Sequence, residues 1–252
     1  MLIQAAILAF LGGLAAGSFV TVVSHRVPLG ESVVGPRSRC PGCGTQIAAY
    51  DNVPVLSWLL LRGRGRCCGE QISARYPLAE VGLGLAYLVT VLVLHDDPVQ
   101  MAIGLVLVTA LMAVTITDLE RRIIPNKILL AATAIGFAIV LAFEPASLPE
   151  RAIAALAAGG LLFTAALIYP QGMGLGDVKL AAVMGFFLGR DVAPALLVAL
   201  LTGSIVGIAL IVREGTSARK KAIPFGPFLA FGALVGLLFG GQLVDWYLGA
   251  FA

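Results

Sequence analysis

The sequence predicts an all-α, polytopic membrane protein, and three observations predict it. Of its 252 residues, 59% are hydrophobic and only 12% are charged. With a mean hydropathy of +0.98, this balance is foreign to soluble globular domains. Apolar runs of the roughly 20 residues that cross a bilayer recur along the chain. The lysines and arginines, finally, are confined almost entirely to alternate connections between those runs.

About eight spans are expected, at 3–24, 77–94, 99–117, 127–143, 151–169, 178–189, 192–212 and 224–249. The first has no Lys or Arg at its start, and its first cation, Arg26, follows the apolar run. That is the reverse of a secretory signal, so this helix is expected to remain as a membrane span. Gly13 with Gly17, and Gly232 with Gly236 and Gly240, place glycines at four-residue spacing, which lets helix backbones approach closely. The fifth and eighth spans are rich in small residues, and the sixth is unusually short.

Eight spans put both termini on one side. Only Arg151 and Arg190 fall in one set of loops; every other Lys and Arg, including Arg219, Lys220 and Lys221, falls in the other. The cation-rich loops are therefore expected in the cytoplasm and the termini outside. The formal charge of +3 then reports loops facing anionic lipid. No basic helix interleaved with aromatics points to nucleic acid. Three parts follow: a first transmembrane helix, 1–25; a cytoplasmic cysteine-containing insert, 26–76; and a seven-helix membrane domain, 77–252.

All four cysteines lie in the insert. Cytosolic thiols stay reduced, so a cluster there argues for metal rather than disulfides. Cys40-Pro41-Gly42-Cys43-Gly44 has the tight turn that aims two thiolates at one zinc ion. The second group, Arg66-Cys67-Cys68-Gly69, is irregular: a regular knuckle has a cysteine where Gly65 stands, and adjacent cysteines are expected to point apart. Cys40, Cys43 and Cys68 are thus read as zinc ligands, with Cys67 as the fourth candidate. Reduced structural thiols are the alternative. His25 is either a missing ligand or an interfacial residue.

Two carboxylates sit at the mouths of apolar runs, where an ionisable group is a functional candidate by default. Asp177 lies in Gly174-Leu175-Gly176-Asp177-Val178-Lys179, and Asp118 in Thr117-Asp118-Leu119-Glu120-Arg121-Arg122-Ile123-Ile124-Pro125-Asn126. At comparable membrane depth they point to an aspartyl hydrolase, since two close carboxyls sharing a proton can activate water and polarise a carbonyl. Plainer readings exist: Asp177 as a helix N-cap and Asp118 as a loop carboxylate before two arginines. Gly174 and Gly176 would let an extended substrate approach the backbone. Lys179 would steady a carboxylate, contact substrate or snorkel to the interface. Glu80 is a candidate partner for a cation or a substrate amino group. Asp96, Asp97 and Glu144 read as solvated loop charges.

Taken in order, these residues resemble the type IV prepilin peptidases, the GxGD-type membrane aspartyl proteases that act as prepilin leader peptidases and N-methyltransferases. The resemblance runs through Gly17-Ser18-Phe19 with Arg26-Val27-Pro28, then Cys40-Pro41-Gly42-Cys43, then Asp51-Asn52-Val53-Pro54-Val55-Leu56-Ser57-Trp58-Leu59-Leu60-Leu61-Arg62-Gly63. It continues through Ile72-Ser73-Ala74-Arg75-Tyr76-Pro77-Leu78-Ala79-Glu80 to both aspartate motifs. It implies that Asp118 and Asp177 are the catalytic pair, that the insert holds a cysteine-bound zinc, and that S-adenosylmethionine donates a methyl group. The implied substrates are prepilins or type II secretion pseudopilins in a bacterial inner membrane, cleaved after a glycine at the cytoplasmic face. Thr21, where the family usually has Asn, and the compressed Cys67-Cys68 pair depart from the pattern, and both bear on methyl transfer rather than proteolysis. A peptidase without methyltransferase activity remains an alternative within this class. A transporter or scaffold whose aspartates bind cations remains one outside it.

Overall fold

The structure, a computed structural model, describes residues 2–40, 42–170, 172–215 and 223–249. Pro41 of the first knuckle and the cations Arg219, Lys220 and Lys221 lie outside the described residues. Among the described residues the chain is helical with no strand beyond two isolated bridges, as expected of an all-α polytopic protein. It divides into two compact units, Met1–Asp96 and Asp97–Ala252.

In the first unit, α1 (Leu2–Arg26) and α3 (Arg75–Leu94) lie side by side. Their glycines explain the closeness. A Cβ on Gly13 would stand 2.7 Å from Gly84 Cα, and one on Gly17 would stand 2.6 Å from Glu80 Cα. The insert between these helices holds a 3-10 turn, Ala49–Asn52, and the short helix α2 (Leu56–Leu60). Polar bonds fasten it: Arg26 donates to Ser32 O at 3.0 Å and Pro36 O at 2.7 Å, and Trp58 Nε1 donates to Ile72 O at 3.0 Å.

The second unit comprises α4 (Pro98–Arg121), α5 (Asn126–Phe143), α6 (Leu148–Ile168), α7 (Leu175–Leu188), α8 (Val192–Glu214) and α9 (Gly226–Gly249). Helix α6 packs along α7, α8 along α9, and α4 against α5 and α9. Leu107, Val114, Leu180, Ala181, Met184, Phe187, Leu229 and Ala233 form its fully buried centre. Gly236 meets Ala195, whose Cβ would lie 2.7 Å from an added Cβ, so the expected small-residue face of α9 is where α8 packs. Leu8, Leu156, Ile168 and Val212 are exposed, and in a multi-pass membrane protein such side chains face lipid.

Among the described residues, the eight expected spans correspond to eight long helices. Seven stretches of the described residues are apolar and long enough to cross a membrane, because Leu175–Glu214, 40 residues, contains both α7 and α8. Helix α7, with 14 residues, is about 21 Å long, well short of a hydrocarbon core of about 30 Å. It stops at Gly189 (φ 57°), and the Gly189–Asp191 turn leads into α8.

Arg151, one of the two cations in the sparse loop set, explains how the end of α7 is stabilised. Its buried guanidinium donates to Phe187 O at 2.9 Å, Phe186 O at 3.3 Å, Ser147 Oγ at 3.0 Å and Gln100 Oε1 at 3.2 Å. Those carbonyls belong to the last turn of α7, where the helix itself supplies no donors. Glu144 Oε2 lies 3.5 Å from the same guanidinium, so Glu144 is a partner of a buried cation rather than a solvated charge. Asp97 likewise caps α4, its Oδ1 accepting Gln100 N–H at 2.9 Å.

Candidate active site

Asp118 occupies the last turn of α4, which ends where Arg122 turns left-handed (φ 56°, ψ 41°) and donates its N–H to Asp118 O at 2.9 Å. The carboxylate is 5% exposed, and its Oδ2 accepts the Gly226 N–H at 2.8 Å. That N–H is one of the orphan donors at the start of α9. Gly226 is there because nothing larger fits: an added Cβ would lie 2.7 Å from Asp118 Oδ2.

Asp177 sits in the first turn of α7, and Gly174, not Asp177, is the N-cap. This corrects the capping alternative. The Asp177 carboxylate instead reaches back, Oδ2 accepting Gly174 N–H at 3.2 Å, as the third residue of a helix does in half of a capping box. Gly176 packs against Ile124, whose Cβ would be 3.1 Å from an added methyl; this brings the two aspartate motifs into contact.

The two carboxylates line one cleft of about 340 Å³ together with Arg122, Ile123, Ile124, Asn126, Gly174, Gly176 and Lys179. Lys179 Nζ donates to Asn126 Oδ1 at 3.1 Å, so its ammonium is held at the cleft wall. Each aspartate accepts a glycine N–H through its Oδ2. A carboxyl pair so arranged in a half-buried cleft can deliver and accept protons. Glu80, 7% exposed, belongs to the first unit, where its Oε2 accepts the Val55 N–H at 2.7 Å. Val55 has φ 61° and ψ −51°, the rare γ-turn conformation, strained for a β-branched residue. Glu80 holds that turn in place.

The insert carries the second constellation. The Sγ atoms of Cys40, Cys43, Cys67 and Cys68 all lie within 4.8 Å of one another, and His25 is not among them. Cys40–Cys68 is 3.5 Å, Cys43–Cys67 3.2 Å and Cys67–Cys68 3.9 Å. Four sulfurs around a tetrahedral ion at ~2.3 Å are separated by ~3.8 Å, so the donor set fits a thiophilic divalent metal. The expectation that adjacent cysteines splay apart fails here, because Cys67 lies within the turn and Cys68 at its end. The thiols do not ionise independently. Hydrogen bonding with Thr45 draws Cys43 down to about 6, while hydrogen bonding with Cys43 pushes Cys67 up to about 12. A bound cation favours the thiolate of every ligand. Arg66 braces this turn through a paired bond to Asp51, 2.9–3.1 Å, and stacks over Tyr50.

Two features escaped the sequence reading. Gly226 carried a usable signal, a glycine between Phe225 and Pro227 at a helix start, but nothing in that pattern names Asp118 as its partner. The second is the extent of the repeat beyond the paired knuckles: Arg39–Ile47 recurs as Arg64–Ile72, with Arg, Cys, Gly, Gln and Ile identical at matching positions.

Two family models match successive parts of the chain. The family described as Bacterial Peptidase A24 N-terminal domain matches residues 11–94, and the Type IV leader peptidase family matches residues 105–212. A prepilin leader peptidase/N-methyltransferase of Aeromonas hydrophila is 35% identical, covering 96% of this chain and 93% of the relative. One of Bacillus subtilis is 33% identical over 95% of this chain and 96% of the relative. One of Myxococcus xanthus is 37% identical over 85% of this chain and 66% of the relative. No solved structure matches. With both aspartate motifs inside one matched segment and near-complete coverage of such relatives, this chain belongs to the type IV leader peptidase family.

Proposed function

We propose that the chain is a membrane-embedded aspartyl endopeptidase that removes the leader of type IV prepilins or type II secretion pseudopilins and N-methylates the new N-terminus. The observation that carries this reading is the single cleft lined by Asp118 and Asp177, each steadied by a glycine N–H. One carboxylate takes a proton from water while the other, protonated, donates to the scissile carbonyl oxygen; the roles belong to the pair, which titrates as a unit. Lys179, tethered by Asn126, supplies a positive charge at the wall, and Gly174 and Gly176 admit an extended backbone.

The cleft is proposed to open to the cytoplasm of a bacterial inner membrane, where the cation-rich loops lie and where a substrate's basic leader stays. Zinc suits the four thiolates and would hold the insert's two turns together. S-adenosylmethionine is the methyl donor implied by the family. The described lining of the aspartate cleft has no aromatic face for an adenine ring, so no step is assigned to that donor there. Mass spectrometry of a co-expressed prepilin tests the whole reading: loss of the leader with one added methyl is expected, loss of the leader alone would remove the methyltransferase half, and an unchanged mass would overturn it.

A further inference from the structure

The short helix α2 turns its polar side inward and its apolar side outward. Ser57 is buried, its Oγ accepting the Val53 N–H at 3.1 Å and donating to Tyr50 O at 3.0 Å, and Trp58 reaches into the insert to Ile72 O. Leu56, Leu59 and Leu60 share the other side, at the spacing that aligns side chains on one face of a helix. All three are exposed, Leu60 by 73%. The helix ends where Arg62 turns left-handed (φ 53°) and Gly63 N–H returns to Trp58 O at 2.8 Å. Arg62 and Arg64 follow directly and are exposed, and their side chains make no hydrogen bond or ion pair among the described residues. Arg66, by contrast, is bound to Asp51, and Arg26 to two carbonyls.

Glu80 fixes the level of this leucine face. Its Oε2 accepts the Val55 N–H, immediately before α2, and Glu80 lies about 7.5 Å along α3 from Arg75 at the helical rise. Helix α3 is apolar and long enough to cross a membrane, and Tyr76 and Leu78, which precede Glu80 on it, are already exposed. Helix α1 is at the same level, since a Cβ on Gly17 would stand 2.6 Å from Glu80 Cα. The start of α2 is thus pinned beside the ends of two membrane helices. We propose that Leu56, Leu59 and Leu60, with Arg62 and Arg64, form a bilayer-docking surface that takes anionic lipid headgroups and seats the insert on the membrane. Lipid is the occupant because the segment enters and leaves the bilayer at both its ends, through α1 and α3, and because the two unpaired guanidiniums beside the leucines complement anionic headgroups, whose phosphates suit arginine. The arrangement is that of an interfacial helix, with its apolar face at the acyl boundary and its cations at the phosphates. The inference rests on α1 and α3 spanning a membrane and is independent of the peptidase reading.

The test uses full-length protein in lipid nanodiscs. The chain has two tryptophans, and Trp246→Phe leaves Trp58, which faces into the insert, as a baseline emitter. Leu59→Trp and Leu60→Trp are each added to that background. Lipids brominated in the upper acyl chain should quench the added tryptophan roughly twofold or more beyond the Trp58 baseline, because an interfacial face sits ~5–10 Å into the headgroup boundary. Quenching should be stronger in discs containing phosphatidylglycerol than in discs of phosphatidylcholine alone, and Arg62→Gln with Arg64→Gln should abolish that difference. Quenching no greater than the baseline in both tryptophan variants would overturn the proposal. If their emission were nevertheless blue-shifted, the face would belong to a second copy of the chain or to a substrate helix instead. Equal quenching in the two lipid compositions would overturn the headgroup assignment.

Discussion

The Gly226 N–H donates to Asp118 Oδ2 at 2.8 Å, joining residues 108 positions apart. The start of α9 thereby sets the orientation of a carboxylate at the end of α4. Gly226→Ala should displace that carboxylate, because the new methyl would lie 2.7 Å from Oδ2. A misplacement near 1 Å costs on the order of 10²-fold in rate, so kcat on a prepilin should fall by about that much with KM little changed. Gly241→Ala, with nothing within 4 Å of its Cβ, should behave as wild type. Equal kinetics for the two variants would remove Gly226 from the site.

Asp118→Asn and Asp177→Asn each keep shape and lose the proton exchange the reaction needs. Each should lower cleavage by ~10²–10⁴-fold while leaving the yield of inserted, monodisperse protein unchanged. Near wild-type processing by either variant would refute that residue's role.

Arg151→Met should destabilise the second unit without touching the cleft. It leaves the Phe186 and Phe187 carbonyls unpaired. The loss is about 2–3 kcal/mol, in the range for hydrogen bonds to a charged group, and Glu144, 35% exposed, regains water on its own. A lowered melting temperature in detergent is expected; an unchanged one would show that the buried network contributes nothing net.

Glu80 distinguishes a structural carboxylate from a reactive one. Glu80→Ala strands the Val55 N–H at a strained turn, a cost of ~1–3 kcal/mol, and should expose the insert to trypsin at Arg62 and Arg64. Glu80→Gln retains an acceptor and should restore resistance. If Gln and Ala behave alike in the protease assay, the negative charge rather than the hydrogen bond is what matters.

Orientation is tested by labelling. A cysteine introduced at Asp96, 91% exposed in its side chain, should react with a membrane-impermeant maleimide added outside intact cells, whereas one at Arg37 should not. The reverse pattern would place the cleft on the outer face and exclude access to a cytoplasmic leader.

Composition and residue spacing were enough for the class of protein, its helical segments and the candidate chemistry, because span length, small-residue spacing and cysteine-turn signals are local and depend on near neighbours in the chain. Asp118 and Asp177 were legible for the same reason: a carboxylate at the mouth of an apolar run stands out against its surroundings. The polar partnerships, by contrast, emerge from the packed helices and turns. Asp177 proved to reach back to Gly174 rather than to cap its helix, Glu144 to pair with a buried arginine, Gly226 to orient Asp118, and Cys67 and Cys68 to converge with the other two thiols instead of pointing apart. Each of these is a short polar contact fixed by helix packing or turn register, and its energy depends on distances that residue spacing along the chain does not specify.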